Sequence, residues 1–201
     1  MTVPESPAVL TPVGLSVDAD GALSNATGRY QKRMRDLGGV FQDQAAFAAA
    51  LDRDADELVY EVYEHRTEER AGELIFGTSI LLPGRIGAEF HVTRGHLHRL
   101  ADRSEIYTCL RGHGVMLMET LEGETATIEL TPGHTAYVPG HWIHRSVNVG
   151  DEPLVTLFAY SADAGQDYDV IAAAGGMRVL VVEDGAGGWT TVPNPGYTGR
   201  G

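Results

Sequence analysis

The chain has 201 residues, 43% of them hydrophobic and 21% charged, which excludes an intrinsically disordered chain and suits one domain with or without an N-terminal extension. A formal charge of −13 argues against a nucleic-acid footprint or an anionic membrane surface, and no apolar run approaches the ~18 residues of a membrane helix. The N-terminal MTVPESPAVLTPVG lacks a basic start and a long apolar stretch, so no signal peptide is expected, and the single Cys109 rules out an intrachain disulfide and fits a reducing cytoplasm.

In chain order, residues 1–25 read as an extended arm rich in Pro, Gly, Ser and Asp. Arg29 to Leu37 reads as a short basic helical turn stopped by Gly38-Gly39. Asp43 is placed to cap an Ala-rich helix running to about Asp52. The pattern then changes to short stretches of strand character at 58–65, 73–82, 87–94, 104–110, 114–120, 124–130, 135–138, 143–149 and 154–160. Turn signals such as Pro83-Gly84, Glu122-Gly123, Pro132-Gly133 and Gly150-Asp151 separate most of them. A small helix around 165–174 and strands at 177–183 and 188–193 finish the chain. Many short strands without long intervening helices predict an all-β barrel or sandwich. Residues 1–201 are expected to form a single domain, with 1–40 as an extension and about 58–160 as the barrel core.

Two spaced elements carry the chemistry. In Gly95-His96-Leu97-His98, strand alternation points both histidines the same way. Six residues later comes Glu105, then six more and Gly112. Further on, Gly133, Pro139, His144 and Asn148 give a second element, G-x5-P-x4-H-x3-N. Three imidazoles and one carboxylate suit Fe, Mn, Ni, Co or Zn, and four protein ligands leave two cis positions of an octahedron. Burying that set in a barrel without a cation would carry a heavy desolvation cost. His96, His98, Glu105 and His144 are therefore the expected metal ligands.

These two elements are similar to the paired motifs of the cupin superfamily, whose fold is a jelly-roll β-barrel; an N-terminal arm and short peripheral helices would be added here. One departure is His141, where the second motif often has Gly, so a local loop difference with a solvent-facing histidine is expected. The runs Thr93-Arg94-Gly95-His96-Leu97-His98, Asp102-Arg103-Ser104-Glu105-Ile106-Tyr107, Trp142-Ile143-His144-Arg145-Ser146-Val147-Asn148 and Tyr160-Ser161-Ala162-Asp163-Ala164-Gly165-Gln166-Asp167-Tyr168 resemble more narrowly the cupin-type phosphoglucose isomerases. That resemblance implies interconversion of glucose 6-phosphate and fructose 6-phosphate. It also implies one divalent transition metal per subunit, Fe(II) first and Mn(II), Ni(II), Co(II) or Zn(II) as substitutes. Catalysis would fall to Glu105 and Tyr107. The sugar phosphate would meet Tyr60, Thr78, Ser79, Thr93, Gly95, Tyr160, Gln166 and Tyr168, with Thr93, Gly95 and the Thr78-Ser79 pair on the phosphate. A homodimer in the cytoplasm is expected, with no nucleic-acid or membrane partner.

Isomerisation moves hydrogen between C1 and C2, either by a carboxylate taking and returning a proton through an enediolate or by a metal-assisted hydride shift; both stay open. The family usually carries His where this chain has Gln166, and glutamine holds a hydrogen bond but cannot exchange a proton near neutral pH. Another group then assists ring opening, or the substrate is a different sugar phosphate. An isomerase or epimerase paralogue, or a dioxygenase with the same ligands on iron, are the alternatives. Of the remaining histidines, His65, His113 and His134 are expected at exposed turns, and His91 shares the alternation of Thr93 and could border the pocket. Cys109 is expected to be buried.

Overall fold

The computed structural model describes residues 10–200. In chain order the elements are β1 (Gly28–Arg33), a 3-10 turn (Met34–Leu37), α1 (Gln44–Asp54), β2 (Leu58–His65), β3 (Leu74–Leu81), β4 (Arg85–Ile86) and β5 (Glu89–Phe90). There follow β6 (Glu105–Arg111), β7 (Gly114–Thr120), β8 (Thr125–Leu130), β9 (Thr135–Val138), β10 (Trp142–Asn148), β11 (Leu154–Ser161), α2 (Asp169–Ala173), β12 (Val179–Glu183) and β13 (Trp189–Pro193). Among the described residues no helix is long and apolar enough to cross a membrane.

Three antiparallel sheets result, ordered β1-β2-β3-β11-β6-β9, β10-β7-β8 and β13-β12-β5-β4. The first two face each other as the walls of a cupin barrel, and one cavity is lined by residues of both. Alternation sets which side chains enter. On β6, Glu105, Tyr107 and Cys109 are buried while Ile106 and Leu110 face out. All seven residues of β7 are buried, because it is the central strand of its sheet and is covered on both faces. Met116, Leu130, Ile143, Leu81 and Leu154 lie at the centre of the core.

Two segments differ from the sequence expectation. Arg29 to Arg33 is not a helical turn but most of β1, an edge strand paired with β2 from Gly28↔Glu64 to Arg33↔Leu58. Its basic outer residues hid its alternation, and only Met34–Leu37 is helical. The strand expected over 87–94 is broken: β4 and β5 form a tight hairpin through Gly87-Ala88. The chain then runs on through single bridges, Val92↔Val147 and His96↔His144 on one side and Leu97↔Asp167 on the other. The part of the arm over residues 1–9 lies outside the described residues; the rest crosses β3, where the Gly21 carbonyl accepts from the Thr78 hydroxyl at 2.5 Å. Asp43 caps α1 as expected, accepting from the Ala46 N–H at 2.9 Å.

The C-terminal tail is held by one buried ion pair. Glu119 of β7 is fully buried, and its carboxylate accepts from Arg200 Nη2 at 2.7 Å, Arg200 Nε at 2.8 Å, the Tyr197 hydroxyl at 2.7 Å and the Arg178 N–H at 2.8 Å. Removing the cation strands a buried carboxylate, which costs far more than the intact pair contributes. Arg200→Met is expected to lower stability by about 3–5 kcal/mol in urea unfolding; a loss within the ~0.5 kcal/mol of an ordinary surface change would contradict this packing.

Candidate metal centre

The metal-type side chains come from three separate places in the chain and converge. Gly95 adopts φ +74° and lies so close to the β10 backbone that an added Cβ would sit 2.9 Å from both the His144 carbonyl and Arg145 Cβ. That close approach lets His96 exchange backbone hydrogen bonds with His144, N–H to carbonyl at 3.1 and 3.0 Å. His98 follows two residues on, and Glu105 opens β6 with its side chain pointing inward. Ligand atoms of all four residues lie within 4.8 Å of one another.

The Nε2 atoms of His144, His98 and His96 lie 3.0, 3.2 and 3.6 Å from a single oxygen, Glu105 Oε2. Hydrogen bonds among these groups cannot satisfy that arrangement. The Nδ1–H of His98 donates to the Arg103 carbonyl at 2.9 Å, and that of His144 to the Trp142 carbonyl at 3.0 Å. A neutral imidazole has one N–H, so both rings turn an Nε2 lone pair toward a carboxylate. His96 Nε2 is buried and has no hydrogen-bond partner among the described residues. Lone pairs from three rings aimed at an anion need a cation among them, and a soft-to-borderline divalent ion suits the N3O donor set. The residues present therefore fit a transition-metal ion.

Electrostatics follow from burial. Burial would raise Glu105, but the three imidazoles hold its carboxyl well below the usual range. His96 is lowered to about 4, by burial first and by neighbouring His144 second. His98 loses to burial but gains more from Glu105, so its net shift is upward. Tyr107 is raised well above its ordinary value by burial and by the Glu105 charge, so its hydroxyl keeps its proton. Its ring lies 5.8 Å from that of His144, edge-on.

Above the cluster is a narrow cavity of about 60 Å³, partly open to solvent. Tyr60, Ser79, Thr93, Gly95, Tyr107, Tyr160, Gln166 and Tyr168 all line it, together with His96, Glu105 and His144. His98 lies outside that lining and is reached only through the cluster. Thr78 is a correction. It alternates with Ser79 on β3 and faces the N-terminal arm, so its hydroxyl is occupied by Gly21 while Ser79 faces the cavity. Gln166 bridges two tyrosines, donating from Nε2 to the Tyr160 hydroxyl at 3.0 Å and accepting from the Tyr168 hydroxyl at 3.1 Å.

The cavity wall also holds Tyr30, Glu64, Arg94, Arg145 and Ser146, which were not anticipated as site residues. Glu64 shares the inward alternation of Tyr60, and Ser146 that of His144, so alternation marks both; Tyr30 lies on β1, whose basic residues give it the sequence character of a helical turn. Arg94 lies over the Tyr168 ring, 5.4 Å from its centroid.

The other singled-out residues sit apart. His91 is buried outside the cavity lining, against Phe41 and with Nδ1 3.3 Å from the Leu82 carbonyl. His134 and His141 are exposed, His113 pairs with Glu129, and His65 is half-buried against Phe76, not exposed as expected. His141 adopts φ +70°, the left-handed backbone that glycine favours, so here a histidine takes that conformation. Asn148 serves as a turn brace, donating to the Leu81 and Glu152 carbonyls and accepting from the Gly150 N–H. Cys109 is fully buried, as expected.

A divalent ion such as Zn(II) or Mn(II) is expected to bind at one equivalent per chain in calorimetry, and His98→Ala to weaken it by more than ~100-fold. Because the ligand imidazoles must be neutral, affinity should fall as pH drops below ~6.5. Unchanged affinity in the variant, or affinity flat from neutral pH to ~5, would contradict this ligand set.

A family model described as glucose-6-phosphate isomerase (GPI) matches residues 31–197. A glucose-6-phosphate isomerase of Sinorhizobium medicae is 54% identical over 190 residues, spanning 94% of this chain and 89% of its own length. A glucose-6-phosphate isomerase of Pyrococcus horikoshii is 42% identical over 174 residues, spanning 87% of this chain and 92% of its own. Among solved structures, a recombinant oxalate oxidase in complex with glycolate covers 56% of this chain and 56% of its own, at 16% identity and a TM-score of 0.47. From the matched span of the family model and the identity of these relatives, the chain belongs to the glucose-6-phosphate isomerase family.

Proposed function

We propose that this protein is a metal-dependent aldose–ketose isomerase interconverting glucose 6-phosphate and fructose 6-phosphate. The observation that carries it is the N3O cluster at the floor of a hydroxyl-rich cavity, in a chain with relatives named for that activity. Fe(II) is the metal proposed first, with Mn(II), Ni(II), Co(II) and Zn(II) as substitutes, since three imidazoles and a carboxylate accept all of them and availability decides. A bound divalent ion supplies Lewis-acid stabilisation of negative charge on adjacent sugar oxygens.

The chain's own residues do the rest. Glu105 takes a proton from C2 of the aldose and returns it to C1, while the hydroxyl proton passes from O2 to O1. Its depressed pKa keeps it ionised, though a weaker base than a free carboxylate. Tyr107, protonated throughout, donates a hydrogen bond to a sugar oxygen beside Glu105. Gln166 orders the neighbouring hydroxyls. Since the Tyr160 oxygen accepts from its amide, the Tyr160 proton is left to point into the cavity, and the Tyr168 oxygen keeps its lone pairs for a sugar hydroxyl. Ser79, Thr93 and Gly95 receive the phosphate.

We also propose a homodimer in the cytoplasm. Ile106, Leu110 and Tyr137 form an outward apolar row on β6 and β9, exposed by 36%, 40% and 58%, which a second copy would cover. Light scattering should return twice the chain mass; a monomer at micromolar concentration would remove that assignment.

Protein loaded with Fe(II) or Mn(II) is expected to convert fructose 6-phosphate to glucose 6-phosphate in a dehydrogenase-coupled assay. Glu105→Ala should lower turnover by at least ~10³-fold, since it removes both a ligand and the proton carrier. Gln166→His, which restores a proton-exchanging group beside Tyr160, should raise turnover several-fold. No turnover with any of the five metals would overturn the reading.

A further inference from the structure

The histidines of the cluster are not held equally. His144 lies inside β10, and its Nδ1–H donates to the Trp142 carbonyl of the same strand, which the ladder with β7 fixes at Trp142↔Thr120. His98 lacks that support. Its Nδ1–H donates to the Arg103 carbonyl at 2.9 Å, and Arg103 belongs to the irregular stretch between His98 and the start of β6 at Glu105. A ring is oriented only as well as its acceptor is fixed. Residue 103 therefore needs an anchor that no strand provides.

Most of this loop is tied down through its backbone. Leu97 and Asp167 exchange hydrogen bonds, Arg99 N–H donates to the Gly165 carbonyl at 3.4 Å, and Leu100 N–H donates to the Ala164 carbonyl at 2.9 Å. From the other flank, His141 N–H donates to the Ala101 carbonyl at 2.5 Å. At Arg103 the backbone bond, from its N–H to the Leu100 carbonyl, stays within the loop. Its tie to the rest of the fold is the side chain. Arg103 Nε and Nη2 donate to Oδ1 and Oδ2 of Asp163 at 2.9 and 2.8 Å. Such a bidentate pair fixes direction as well as distance. Asp163 also accepts from the Ser161 hydroxyl at 2.6 Å, and it follows directly on β11, which is clasped between β3 and β6. Asp102 touches the same guanidinium through Nη1 at 3.0 Å, but it is part of the loop and moves with it.

We propose that Asp163 is a positioning residue for the metal: through Arg103 it fixes the carbonyl that orients His98, and so sets metal affinity from outside the ligand set. This rests on the metal-site reading. Asp163 belongs neither to the ligand group nor to the cavity lining. With Arg103 and Asp163 side chains 30% and 16% exposed, the pair is open enough to contribute little to global stability. Its effect falls on the ring it orients.

The test uses the Zn(II)-loaded full chain with ¹⁵N-labelled histidine and arginine. In the wild-type protein the Nδ1–H protons of His98 and His144 both donate to carbonyls, and both should exchange slowly with water. Asp163→Asn keeps the shape of the side chain, removes its charge and turns an N–H toward the guanidinium. It should speed exchange of the His98 Nδ1–H and weaken zinc in a chelator competition, each by at least ~10-fold, while the His144 Nδ1–H keeps its wild-type rate. A general loosening of the barrel would move both protons together. Coupling is reciprocal, so zinc binding to the wild-type chain should slow exchange of the Arg103 Nε–H by the same factor of ~10 or more. That measurement decides the matter even if the variant fails to fold. Unchanged His98 exchange and zinc affinity in Asp163→Asn, equal acceleration at His98 and His144, or an Arg103 Nε–H that ignores zinc overturns the assignment. A wild-type chain that binds no zinc would sink the metal reading as well, whereas zinc binding with any of those three results would sink Asp163 alone.

Discussion

Three imidazole nitrogens are packed against one carboxylate oxygen, two of them with their lone pairs committed inward by backbone carbonyls. Without a cation, this is a cluster of acceptors facing an acceptor. With one, it is a preorganised ligand set whose ring orientations are fixed by carbonyls of the two segments that carry the histidines. Much of the local architecture serves that convergence. The left-handed Gly95 brings His96 onto β10, the bridge to Asp167 continues the segment to His98, and β6 begins at Glu105.

The cavity over the cluster is electrically divided. Glu105 lies at its floor and Glu64 in its wall, while Arg145 and Arg94 stand by the Thr93-Arg94-Gly95 loop. Glu64 is held by Arg66, whose Nε and Nη2 donate at 2.7 and 3.3 Å, so its charge is balanced from within the chain. Arg145 forms no ion pair among the described residues, and the carboxylates of Glu89 and Glu119 are its charged neighbours. A chain with a net charge of −13 still carries two arginines, Arg94 and Arg145, among the residues of this cavity wall. The tyrosines between the two ends take their direction from Gln166, which can order their protons and cannot exchange one near neutral pH.

The ligands could be read from spacing alone because each motif position answers to a physical demand: paired histidines on one face, an inward glutamate at a strand start, an asparagine that braces a turn. What escaped depended on tertiary context. Alternation says that Thr78 and Ser79 face opposite ways, but not which of them faces the cavity; the Gly21 carbonyl of the N-terminal arm decides that. The strand expected over 87–94 was broken by a hairpin at Gly87-Ala88, and His96 and His98 still share a side because single bridges on both flanks keep the chain extended. Tyr30 was hidden by the basic neighbours that made β1 look like a helical turn.

The central claim is that the four residues hold one metal ion through three Nε2 atoms and the Glu105 carboxylate. Its most direct test is pulsed electron paramagnetic resonance of the Mn(II)-loaded protein, with imidazole nitrogens ¹⁵N-labelled through histidine. Three histidine nitrogens coupled directly to the metal are predicted, with a single coupling lost in each of His96→Ala, His98→Ala and His144→Ala. Two or fewer coupled nitrogens in the wild-type protein, or three that persist in any of these variants, would contradict it.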